Sequence, residues 1–96
     1  AAAVHAAGVP WLLVTDGARP VTLYGMAGTV ELSPPVITEV SALGSGDATT
    51  AGVVAAWMRG EPMEQAVRFG LACGAANART VIPGELDWTG LDRTGA

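Results

Sequence analysis

Lysine does not occur in this sequence, and five arginines stand against nine acidic residues, leaving a net charge of −4. Nucleic-acid surfaces carry a basic patch, so no nucleic-acid partner is expected. Cysteine occurs once, at Cys73, which excludes an intramolecular disulfide and fits a reducing, cytoplasmic setting. No apolar run approaches the roughly 18 residues of a membrane-spanning helix, so no membrane partner is expected. Residues 1–8 lack the basic start and long apolar stretch of a secretory signal, and no methionine opens the chain. The sequence therefore reads as starting within a longer protein.

Small and apolar residues are plentiful instead. Half of the 96 residues are hydrophobic and 13 are glycine. That hydrophobic content argues for a packed core rather than disorder, although so short a domain buries a smaller share of its surface than a large one. The glycines then point to tight turns and close backbone contacts.

Residues 1–7, mostly alanine, read as the last turns of a helix stopped at Gly8. Trp11 to Thr15 is a short apolar run bounded by turn residues, which reads as a buried strand. Residues 21–24 and 29–32 are rich in strand formers and separated by Gly25-Met26-Ala27-Gly28, so a hairpin is expected. Residues 36–40 follow two prolines and read as an edge strand. A helix is expected from Ala48 to Arg59, with Ala51, Val54, Ala55 and Met58 on one face and Gly60 as its stop. A second helix is expected from Glu61-Pro62 to about Arg79, with Met63, Ala66, Val67, Gly70, Leu71 and Gly74 on one face. Gly70 and Gly74 each cost about 1 kcal/mol relative to alanine inside a helix, so close packing against a neighbouring element or a ligand should compensate. Helices alternating with strands imply a layered α/β fold.

Gly44-Ser45-Gly46-Asp47 lies between an extended stretch and a helix. The first N–H groups of a helix lack intrahelical partners, and the helix dipole places partial positive charge there. Glycines let a ligand approach the backbone closely, so the segment suits an anion such as phosphate. It is not a Walker P-loop, because the lysine and the spacing are missing. Asp47 has two readings at this point. A carboxylate in the first helical turn is favoured by the dipole alone. Beside a phosphate cradle it could instead accept the proton of an attacking hydroxyl.

The run Ser41-Ala42-Leu43-Gly44-Ser45-Gly46-Asp47-Ala48-Thr49-Thr50-Ala51-Gly52-Val53-Val54 resembles the C-terminal signature of the PfkB, or ribokinase-like, family of carbohydrate kinases. Only position 42 departs from the pattern. Val14-Thr15-Asp16-Gly17 is similar to the strand and turn before that family's nucleotide site. Gly70-Leu71-Ala72-Cys73-Gly74-Ala75-Ala76-Asn77-Ala78 resembles its small-residue helix beside the nucleotide, with an ending similar to the 1-phosphofructokinase and tagatose-6-phosphate kinase branch. Asp16 and Pro20 depart from the family, Asp16 standing where small or apolar residues are usual and Pro20 in place of a common glycine.

The resemblance implies that residues 1–96 form the C-terminal, nucleotide-binding part of a ribokinase-like kinase, without its N-terminal sugar-binding part and lid. The implied reaction transfers a phosphoryl group from ATP, with Mg2+, to a hydroxyl of a sugar or sugar phosphate. Asp47 would be the catalytic base, and the backbone of Gly44, Ser45 and Gly46 the anion hole. Thr15, Gly17 and Asn77 would border ATP. Ser41 and the carbonyl of Leu43 correspond to a monovalent-cation site, implying K+. A homo-oligomer of the full-length protein is compatible with the family. The alternative is a non-catalytic nucleotide-binding or structural fragment, in which Gly-Ser-Gly-Asp merely caps a helix. The remaining distinctive residues read as packing: His5 at the surface, Trp11, Trp57 and Trp88 in core or rim, and Cys73 as a small core residue.

Overall fold

The computed structural model describes residues 2–15, 19–35, 44–79, 85–89 and 91. In chain order the elements are α1 (Ala2–Ala6), β1 (Leu12–Val14), β2 (Val21–Tyr24), β3 (Thr29–Leu32), α2 (Ser45–Met58) and α3 (Met63–Ala78). They fall into two compact units, Ala1–Ser33 and Pro34–Ala96.

The first unit holds an antiparallel sheet in the order β1-β2-β3. The expected hairpin is there, with Val21 opposite Leu32 and Tyr24 opposite Thr29. Its turn closes through Gly25 N–H donating to the carbonyl of Gly28 at 2.8 Å. Side chains alternate across a strand, so Val21 and Leu23 point to one face, and both are buried together with Leu32. The Trp11 ring lies against Gly25, where a Cβ would come within 2.6 Å of it. β1 is shorter and more exposed than expected: Leu12 and Leu13 are half-buried and Val14 is exposed. Among the described strands it sits at the sheet edge, with β2 as its partner. His5 is half-buried, not at the surface, and its Nε2 is sequestered from solvent. The expected strand at 36–40 lies outside the described residues.

The second unit is built on α2 and α3. They meet in reverse order along their lengths: a Cβ on Gly70 would strike Thr49 and Val53, and one on Gly74 would strike Thr49 and Ser45. The helices therefore run antiparallel and touch backbone to backbone. This close packing is the compensation expected for glycines inside a helix. From Gly70 to Ala78 every residue of α3 is buried, which suits its run of small side chains.

The expected face of α2 is corrected. Ala51, Val54, Ala55 and Met58 share a face, but it is exposed; the buried positions are Gly52 and Ala56. A Cβ on Gly52 would sit 2.8 Å from Cys73 Sγ and 2.9 Å from the Gly70 backbone. The glycines choose the contact side because only there can the two backbones approach. α2 also starts earlier than expected, at Ser45, so Gly-Ser-Gly-Asp forms its entry and first turn.

The segment after α3 is tied back onto it. Asp87 N–H donates to the carbonyl of Ala76 at 2.9 Å. Arg79 donates to the carbonyl of Thr89 and lies 3.9 Å from the Asp87 carboxylate. Trp88 stacks on Phe69 with ring centroids 6.3 Å apart, and the Arg59 guanidinium lies 5.1 Å from the Phe69 ring centre.

Candidate functional site: the first turn of α2

Gly44 precedes α2 in the left-handed conformation, with φ 83° and ψ −5°. A side chain would be strained there, which accounts for glycine at this position. Ala48 N–H is the first to find a helical acceptor, the Gly44 carbonyl at 2.9 Å. The preceding N–H groups, of Ser45, Gly46 and Asp47, have no intrahelical carbonyl to bond. No side chain caps this end. Three donors and the positive end of a 14-residue helix therefore converge at one turn.

Gly46 is informative within that turn. It is exposed, and a Cβ built on it would meet nothing within 4 Å. Gly44 is explained by its backbone angles, and Gly52, Gly70 and Gly74 by helix contact. Gly46 has neither reason. The space above it is open, which leaves the backbone free for a group from outside to approach. Asp47 follows in the same turn with its carboxylate exposed. An acceptor for a proton and donors for an anion thus stand side by side.

The turn is braced from behind. Ser45 Oγ donates to Asn77 Oδ1 at 3.3 Å. Asn77 Nδ2 donates to the carbonyl of Glu85 at 2.9 Å. Thr49 Oγ1 donates to the carbonyl of Ser45 at 2.9 Å, and Thr50 Oγ1 to that of Gly46 at 3.1 Å. The structure thus brings together Gly44, Ser45, Gly46, Asp47 and Asn77. Thr15 follows β1 in the first unit and is exposed. Gly17, Ser41 and Leu43 lie outside the described residues. Thr49 and Gly74 were missed as parts of the site. Gly74 carried a signal as a glycine inside a helix, but its pairing with the Thr49 hydroxyl on the other helix had none at short range. Among the described residues, no three His, Cys, Asp or Glu side chains gather as a metal-binding group. No helix among them is long and apolar enough to cross a membrane.

Residues 1–86, which include this turn and its brace, match the pfkB family of carbohydrate kinases. The chain belongs to that family. Its pfkB-type fold is shared with the phosphofructokinase-2 of Escherichia coli in complex with potassium, at 20% identity and a TM-score of 0.81 over 93% of this chain and 29% of that one. A ribokinase of Arabidopsis thaliana complexed with ribose and ATP is similar at 25% identity, with a TM-score of 0.79 over 98% of this chain and 30% of that one. A ribokinase of Thermotoga maritima is similar at 23% identity, with a TM-score of 0.79 over 85% of this chain and 28% of that one. The pfkB chain described here thus spans less than a third of the length of these relatives. Its architecture is an α/β portion of the ribokinase-like fold.

Proposed function

We propose that this chain supplies the catalytic base, the anion hole and part of the ATP site of a kinase that phosphorylates a hydroxyl of a sugar or sugar phosphate. Residues 1–96 would be the C-terminal, nucleotide-binding part of the kinase domain. The observation that carries the reading is the first turn of α2, where the open backbone of Gly46 adjoins the exposed carboxylate of Asp47.

In the proposed reaction the Asp47 carboxylate accepts the proton of the sugar hydroxyl as its oxygen attacks the γ-phosphorus of ATP. The bond from that phosphorus to the β,γ-bridging oxygen breaks, and ADP leaves. The backbone of Gly44, Ser45 and Gly46 would receive negative charge on the transferring group, with the Ser45 and Gly46 N–H groups, which lack helical acceptors, held in place before the reaction begins. Thr15 and Gly17 would border the nucleotide.

Mg2+ commonly keeps several waters and is held by one or two carboxylates together with substrate phosphates. With Asp47 kept as the base, the ion would come to the site on the ATP phosphates and neutralise charge on them. K+ would be held at Ser41 and the carbonyl of Leu43. The setting proposed is cytoplasmic, and the full-length protein is proposed to act as a homo-oligomer.

The test is Asp47→Asn in the full-length protein, which keeps the shape of the side chain and removes the base. Turnover is expected to fall by about 10² to 10⁴, the usual contribution of a positioned general base. Near-normal turnover would remove the assignment.

A further inference from the structure

We infer that Asn77 is a positioning residue for the first turn of α2, holding the anion hole through Ser45 rather than contacting the nucleotide. This rests on the reading of that turn given above. Asn77 is 1% exposed and lies in the run Ala75-Ala76-Asn77-Ala78, whose alanines are also buried. Alanine would serve the helix better at position 77, and a buried amide is unfavourable unless it is hydrogen-bonded. Asparagine there needs a specific reason, and its two ends provide one. Oδ1 accepts from Ser45, the first residue of α2, and Nδ2 donates to the Glu85 carbonyl.

Ser45 contributes both a side chain to this link and a backbone N–H to the anion hole. Holding its hydroxyl therefore sets the direction in which the first N–H groups point. The other braces described for the turn, Thr49 on the Ser45 carbonyl, Thr50 on the Gly46 carbonyl and the close approach of Gly74, tie it to the two helices. Asn77 ties it also to residues 85–89, which are themselves fastened by Asp87 on Ala76 and Trp88 on Phe69. Placement of donors by about an ångström is worth about 10²-fold in rate, so a brace that touches no substrate can still act on turnover.

The test is a double-mutant cycle in the full-length protein with Ser45→Ala, Asn77→Ala and both. It is assayed with MgATP and whichever of ribose, fructose 6-phosphate, fructose 1-phosphate and tagatose 6-phosphate is turned over fastest. Each single variant is expected to lower kcat about 10- to 100-fold while KM for ATP stays near its wild-type value. The double variant is expected to be no slower than the slower single one, because each change breaks the Ser45–Asn77 hydrogen bond and Asn77→Ala already removes the tie to Glu85. A raised KM for ATP with kcat preserved, or losses in kcat that multiply, overturns the inference. Should Asn77→Ala not fold, Asn77→Ser takes its place in the cycle, keeping a small polar group that cannot span both partners. Asp47→Asn is assayed alongside. If it is inactive and the cycle is multiplicative, the positioning role alone fails. If it is fully active, the reading of the turn fails and the inference falls with it.

Discussion

The Thr49 hydroxyl occupies the place a side chain at Gly74 would need. It is held there by donating to the carbonyl of Ser45. The two helices are thus locked at the level of the turn that carries Asp47, and the lock is made of an absence on one side and a stiff β-branched residue on the other.

Gly70→Ala and Gly74→Ala should both destabilise the fold, although alanine is favoured over glycine by about 1 kcal/mol in a helix. Overpacking of this kind costs about 1–3 kcal/mol. Gly70→Ala should be the worse of the two. Its Cβ would sit 2.6 Å from the Thr49 carbonyl oxygen and 3.0 Å from the Val53 nitrogen, and backbone atoms cannot rotate away. Urea unfolding of both variants checks the order.

Gly46→Ala should separate stability from activity. Its Cβ meets nothing in the protein, so the change should add about 0.4–1 kcal/mol of stability by restricting the unfolded chain. The same methyl would enter the space proposed for the transferring phosphate, and turnover should fall about tenfold or more, since small misplacements there are costly. A more stable variant with full activity would show that the open space serves no ligand.

Cys73 should be inert in the folded protein. Burial pushes its thiol above the usual 9.0, with the Arg59 charge acting in the opposite direction. The thiol is also covered, being 5% exposed. At pH 8 a thiol reagent such as dithionitrobenzoate should react with it only after denaturant is added. Rapid reaction of the native protein would place Cys73 outside the α2–α3 seam.

Asp87 should titrate below its ordinary value of 3.8, because hydrogen bonds from Thr89 favour the carboxylate, with Arg79 adding to the effect. A folded pKa below the unfolded one means that the contribution is present above the unfolded value and lost as pH falls through the folded one. An NMR titration of the Asp87 carboxyl should therefore give a midpoint below 3.8. Thr89→Gly should move it upward. An unchanged midpoint in that variant would exclude the Thr89 hydroxyl as the cause and leave the backbone N–H, which glycine keeps.

The hairpin and the buried face of α3 were legible because both follow strict rules. Val21 and Leu23 alternate about a glycine-rich turn, and Ala66, Val67, Gly70, Leu71 and Gly74 recur at helical spacing. The contact face of α2 was not legible. Ala51, Val54, Ala55 and Met58 are as apolar as any core stripe, and the choice between faces depends on where another helix, some twenty residues away, lacks side chains. The start of α2 was placed late because Gly-Ser-Gly has the composition of a loop, while the left-handed Gly44 allows the helix to begin directly after it. Asp47 and its glycines stood out because the chemistry of that turn is local. The link from Ser45 to Asn77 spans 32 residues, and no short-range pattern announces it.

The glycine seam between α2 and α3 also determines how motion would travel. Where helices meet through side chains, rotamer changes absorb small shifts. Here the Gly70 backbone lies against Thr49 and Val53, and the Gly74 backbone against Ser45 and Thr49, and the side chains set against the two glycines, those of Thr49 and Val53, are β-branched and stiff. A tilt of α3 would reach the turn holding Ser45 and Gly46 with little room for rotamer changes to absorb it. Whatever pulls on residues 85–89 pulls, through a stiff lever, on the donors that would face the phosphate.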